Sequence, residues 1–224
     1  MNLSLLKKFV KCWPMPRFAK CGPNAHFSRP RYVAHPHRIS VGRDTYIGKG
    51  SSLCVVPGAD GGLGEIRLGD RVWITAGLTV YAEKRVVIED NVLIAGGVFI
   101  SDASRGHATA EIPYRDQPNQ DAAEIVIGEG SWLGQNCVIL PGVTIGRRCI
   151  VGSNSVVTTS LPSGSVAVGA PARVVKQWDW EAKVWRKVAR ASREAAATNN
   201  DAVDARDAES VPLPAFAPAA GAGM

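Results

Sequence analysis

IGEGSWLGQNCVILPGVTIGRRCIVGSNSVV, residues 127 to 157, repeats itself every six positions: Ile127, Leu133, Ile139, Ile145, Val151 and Val157. Small residues follow most of them (Gly128, Gly134, Gly146, Gly152), and four positions after each stands a second small or apolar residue (Ser131, Cys137, Val143, Cys149, Ser155). A period of six fits neither the 3.6 of an amphipathic helix nor one long strand. It fits a parallel β-helix, in which short strands meet at tight corners and stacked coils bury a continuous aliphatic column.

Working outward, the same rule runs through Leu68, Ile74 and Val80 and again through Ile88, Ile94 and Ile100, with Val72, Leu78, Val92 and Val98 at the second position. The chain is therefore expected to be all-β. Cys137 and Cys149 fall on the inward small position and read as buried apolar groups. The period breaks three times. From Val80 to Ile88 the step is eight, a two-residue corner insertion; Pro57 to Glu65 reads as a plain loop; Ser101 to Glu124 is a long polar excursion, the kind that carries function on a regular scaffold.

The remainder divides by composition. Residues 1–38 form a basic N-terminal arm with eight Lys or Arg and no acid, and residues 39–175 hold the repeat with its loop 101–124. Residues 176–198, with Trp178, Trp185 and Val188 at near-helical spacing, read as a C-terminal helix capping the column. Residues 199–224, rich in Ala and Pro, read as a disordered tail. Leu3, Leu6 and Val10 alternate with Lys7, Lys8 and Lys11 ahead of Trp13 and Phe18, a basic amphipathic segment suited to peripheral contact with an anionic membrane or to packing on the first coil.

The 224 residues carry 26 basic and 20 acidic side chains, and the stretch between the arm and the tail is nearly neutral. That balance argues against a nucleic-acid groove. No apolar run approaches the roughly 18 residues that cross a bilayer, so a cytoplasmic protein is expected, peripheral on the inner membrane face if the arm binds lipid. The five cysteines lack paired spacing, and His35 and His37 lack acidic or Cys neighbours in the sequence, so neither a disulfide framework nor a metal is expected.

The block from Ile127 to Lys176, with ILPGVTIG (Ile139–Gly146) and GAPARVV (Gly169–Val175) in order, closely resembles the hexapeptide-repeat acyltransferases, above all those that O-acetylate sugars and polysaccharides. The resemblance implies a left-handed β-helix, a homotrimer, and acetyl-CoA held in a cleft between neighbouring subunits. Matched residue by residue, it implies that Trp132 and Gln135 line the pantetheine arm, that Ser153, Thr158 and Thr159 follow along the same wall, and that Arg173 and Lys176 meet the nucleotide phosphates. Cations at that rim suit the phosphate charge of CoA.

The excursion, with IPYRDQP at Ile112 to Pro118, resembles the acceptor loop of polysaccharide acetyltransferases, where related enzymes read DHxHG. This chain has Asp102, Ala103, Ser104, Arg105, Gly106 and then His107, so both family histidines are replaced. The second is the expected general base for a sugar hydroxyl, and a guanidinium at Arg105 cannot take its part. His107 is the remaining imidazole of the loop and the candidate displaced base, with Asp102, Arg105 and Asp116 as candidate substrate contacts. The reading is an acetyl-CoA-dependent O-acetyltransferase acting on a sugar or lipid-linked saccharide. A silent trimeric scaffold relative, or transfer to an amino sugar, are its alternatives.

Overall fold

The computed structural model describes residues 16–58, 61–120 and 122–188. The hexads become six three-strand coils. They run β1 (Lys20–Cys21), β2 (His26–Phe27), β3 (Tyr32–Ala34); β4 (Ile39–Val41), β5 (Tyr46–Ile47), β6 (Ser52–Val55); β7 (Glu65–Leu68), β8 (Trp73–Ile74), β9 (Thr79–Ala82). The column continues with β10 (Arg85–Ile88), β11 (Leu93–Ile94), β12 (Phe99–Ser101); β13 (Ile125–Ile127), β14 (Trp132–Leu133), β15 (Val138–Ile139); and β16 (Thr144–Ile145), β17 (Ile150–Val151), β18 (Val156–Val157). The first, second and third strands of successive coils stack in parallel register as three faces, A, B and C.

All twelve periodic aliphatic residues are buried, from Leu68 at 3% exposure to Ile100 and Val157 at 0%. The nine second-position residues from Val72 to Ser155 are buried as well, Cys137 and Cys149 among them. Burial of the thiols raises the pKa of both cysteines, which keeps them as apolar core groups. The inward Ser131 satisfies its hydroxyl on the Gly146 carbonyl at 2.9 Å.

Two boundaries differ from the expectation. The column begins at Lys20 and not at Ile39, because β1, β2 and β3 pair with the second coil through Lys20–Ser40, His26–Tyr46 and Tyr32–Ser52. The hexad signal is faint there because Phe27 replaces an aliphatic residue and Thr45 and Ser51 take second positions in the next coil. Both hydroxyls are buried and bonded to carbonyls, of Gly69 and Gly48, at 2.8 Å. The basic segment 1–15 lies outside the described residues.

The expected C-terminal helix is a hairpin. After β19 (Ser165–Gly169), β20 (Ala172–Asp179) and β21 (Val184–Lys187) add antiparallel strands to face B. Trp178 and Trp185 are seven residues apart, a spacing that serves one helix face or a cross-strand pair equally. Here they sit directly opposite, ring centroids 5.2 Å apart. The exposed ladder of β19 supplies partners that a helix could not use. The Asp179 carboxylate shapes the turn by accepting from the Glu181 and Ala182 amides at 3.1 and 2.8 Å. The tail 199–224 and the end of the expected helix lie outside the described residues.

Candidate functional site

The long loop leaves face C after β12 and rejoins face A at β13, so it springs from the C-to-A corner of the fourth coil. An antiparallel bridge between Ser104 and Gln120 closes its base. The buried Gln117 amide donates to the carbonyls of Thr109 and Ile112, both at 2.8 Å, which folds the middle of the loop on itself. Gly106 lies against the Pro118 carbonyl; a Cβ there would stand 2.0 Å from that oxygen. Arg105 and His107 therefore flank a pinned point and both reach solvent.

His107 rests Nδ1 3.1 Å from the Arg105 carbonyl oxygen, and its backbone amide donates to the Gln120 side-chain oxygen at 3.4 Å. Asp116 is exposed in the short turn Tyr114–Asp116 and pairs only with the adjacent Arg115, at 3.3 Å. Asp102 has a different part from the substrate contact expected of it. It is fully buried and accepts three successive corner amides, from Glu83 at 2.7 Å, Lys84 at 2.9 Å and Arg85 at 2.6 Å. Burial pushes its carboxyl above the ordinary carboxylate range, the neighbouring Glu83 adds to that, and the three amides offset part of it.

The same corner holds the loop's far side. Glu83, 7% exposed, accepts from the Asn119 amide at 2.7 Å, and Arg85 bonds Glu124 and Glu65, each at 2.8 Å. Sequence reasoning missed Glu83, Arg85 and Asn119. The signal was present in the eight-residue step from Val80 to Ile88, but its pairing with the excursion twenty residues later is visible only when coils stack.

The residues expected along the acyl donor fall on two edges. Trp132 points outward on β14 and is 46% exposed. Gln135 and Ser153 stand at the B-to-C corners of successive coils, tied by the Asn154 amide on the Gln135 carbonyl at 2.8 Å. Arg173 and Lys176 lie on β20, on the outer side of face B. Thr158 and Thr159 instead follow β18 at the C-to-A corner, the edge that carries the loop. One chain thus brings Trp132, Gln135, Ser153, Arg173 and Lys176 to one side, and Thr158, Thr159 and His107 to the opposite edge of face C. Of the residues expected along one wall, Trp132, Gln135 and Ser153 thus stand apart from Thr158 and Thr159 among the described residues. Among the described residues, no three His, Cys, Asp or Glu side chains are grouped to hold a metal ion.

Comparison with known proteins gives the arrangement its context. The sequence pattern described as "Bacterial transferase hexapeptide (six repeats)" matches residues 124–159, and "Hexapeptide repeat of succinyl-transferase" matches residues 38–82. The Escherichia coli K12 protein named "Putative lipopolysaccharide biosynthesis O-acetyl transferase WbbJ" is 32% identical over 164 residues, covering 70% of this chain and 81% of its own. Galactoside O-acetyltransferase of the same organism is 32% identical over 160 residues, 71% of this chain and 64% of its own length. Among solved structures, the N-acyltransferase AntD of Bacillus cereus, in complex with dTDP and coenzyme A, superposes with a TM-score of 0.61 at 20% identity, over 92% of this chain and 98% of its own. That likeness speaks to the fold, which is the left-handed parallel β-helix that the repeat and its resemblance led us to expect.

Proposed function

Because this chain belongs to the hexapeptide-repeat acyltransferases, we propose that it moves an acetyl group from acetyl-CoA to a hydroxyl of a sugar in cell-surface polysaccharide assembly. The observation that carries the donor half is the outer side of face B. Trp132, Ile150, Val166 and Lys176 are aligned in one transverse row across β14, β17, β19 and β20. Three strand spacings put the backbones of Trp132 and Lys176 about 14 Å apart, a span that suits an extended pantetheine with its phosphates at the cationic end.

The acceptor half rests on the loop. In this reading His107 takes the proton of the acceptor hydroxyl while that oxygen attacks the thioester carbonyl, and CoA leaves as its thiol. Arg105 binds an anionic group of donor or acceptor. The split of the residues between two edges supports a cleft made by two copies of the chain, the loop and Thr158–Thr159 of one facing Trp132, Gln135 and Ser153 of the next. A closed ring of three such contacts is the expected assembly. Transfer to oxygen is preferred over nitrogen because two relatives at 32% identity carry O-acetyl transferase names.

One observation favours a second reading, a silent scaffold relative: Arg105 occupies the family base position, and the His107 ring is turned against its own loop. The deciding experiment offers the purified protein acetyl-CoA with neutral sugars, lipid-linked saccharides and amino sugars, and follows free thiol. Release with hydroxyl acceptors supports the enzyme reading. Release with amino sugars alone moves the acceptor to nitrogen, and acetyl-CoA binding without any release supports the scaffold. No helix among the described residues is long and apolar enough to cross a membrane. The basic segment 1–15 is proposed to touch the inner membrane face, where lipid-linked acceptors would be met.

A further inference from the structure

We propose that Glu83 is a positioning residue for the transfer, holding the loop that carries Arg105 and His107 in its working place; the inference rests on the acetyl-transfer reading above. The two-residue insertion between β9 and β10 and the long loop are one device. Three contacts leave this single corner for three points of the loop. The amides of Glu83, Lys84 and Arg85 converge on Asp102 at its start, the Glu83 carboxylate takes the Asn119 amide on its return, and the Arg85 guanidinium takes Glu124 at its exit.

The three are not equivalent. Asp102 and Arg85 act within the strands that they adjoin, since Asp102 directly follows β12, and Glu124 directly precedes β13. Asn119 lies inside the excursion, next to Gln120, whose carbonyl and amide close the Ser104 bridge. Among the described residues, Glu83 is thus the corner's one side-chain hydrogen bond to the part of the loop that flanks Arg105 and His107. The Glu83 carboxylate, on a residue 7% exposed, accepts from the Asn119 side-chain amide at 2.7 Å.

The test uses the full chain with Glu83→Ala, Glu83→Gln, Asn119→Ala and the double Ala variant. Displacing a catalytic group by about 1 Å can lower a rate on the order of a hundredfold, so Glu83→Ala is expected to lower kcat by roughly 10- to 100-fold with the KM for acetyl-CoA unchanged. Glu83→Gln should recover most of it, because its carbonyl oxygen can still accept from Asn119. Asn119→Ala should copy Glu83→Ala, and the double variant should be no worse than either. Limited trypsin digestion reads the loop without activity: cleavage after the exposed Arg105 and Arg115 should quicken in both Ala variants and return to the parental rate in Glu83→Gln.

A folded Glu83→Ala cut at the parental rate overturns the proposal. So does equal loss of kcat in the Ala and Gln variants, which would give the carboxylate a chemical part of its own. If Glu83→Ala does not fold, Asn119→Ala alone decides, on the same two readouts. A parent that transfers acetyl to no acceptor overturns the reaction reading, and the digestion series then still decides whether Glu83 holds the loop.

Discussion

Arg173 and Lys176, three residues apart on one strand, share the outer side of face B because the ladder slips between them. Val166 pairs with Lys176 while the next residue, Ala167, pairs with Val174, so Val175 is an extra residue that resets the alternation. Without this bulge the odd spacing would send the two cations to opposite sides. Arg173 is further steadied by its own guanidinium on the Ala172 carbonyl at 3.0 Å.

Arg173→Ala is expected to weaken CoA binding by about ten- to a hundredfold, the cost of one charge-assisted phosphate contact at roughly 1.5 to 3 kcal/mol. Deleting Val175, which removes the bulge, should do the same by turning one cation inward. Calorimetry with CoA checks both, and unchanged affinity in Arg173→Ala would remove this residue from the site.

His107→Ala is expected to lower turnover by roughly 10² to 10⁴, the scale of a general base, with CoA affinity intact. Arg105→His restores the family's residue at the family's position. An inert parent made active by Arg105→His identifies a silent relative, and an active parent indifferent to His107→Ala places the base elsewhere.

Arg173 on one edge and His107 on the opposite edge make complementation a direct test of the proposed shared cleft. Mixed trimers of His107→Ala and Arg173→Ala should regain about a quarter of parental activity, since a cleft is intact whenever each variant supplies its unaltered edge. Light scattering should give a trimer, and no recovery on mixing would confine the site to one chain.

Asp102→Asn should cost about 2 to 4 kcal/mol, because one amide oxygen cannot accept three converging backbone amides. The pH dependence has a definite sign. With the folded carboxyl raised by burial, the contribution of Asp102 to the parent's stability is greatest below the ordinary carboxylate value of about 4 and declines as pH rises from there to the raised value. Asn at this position does not titrate, so the difference between the two urea midpoints, at equal protein concentration, should shrink as pH rises through that window. A constant difference would mean that Asp102 titrates normally.

Removal of residues 1–15 should leave the column folded, since the first coil opens at Lys20, and should weaken sedimentation with anionic vesicles. Unchanged sedimentation would end the membrane reading of the arm.

The hexads from Leu68 to Val157 by themselves determined a parallel β-helix, though not its handedness, because a column of stacked coils needs only a local rule repeated: aliphatic residue inward, small residue at the corner. They also located the loop and, through resemblance, the residues proposed to meet the donor. Tertiary structure decided what depends on stacking or on an open edge. It turned Trp178 and Trp185 from a helix face into a strand pair, since β19 offered a ladder to extend. It took Asp102 from the acceptor and gave it to the amides of residues 83–85, because a corner one coil below comes within hydrogen-bond reach only when coils are superposed. It also set Thr158 and Thr159 on the edge opposite Trp132, since a sequence period fixes which residues point outward but not which of three faces must meet a neighbour.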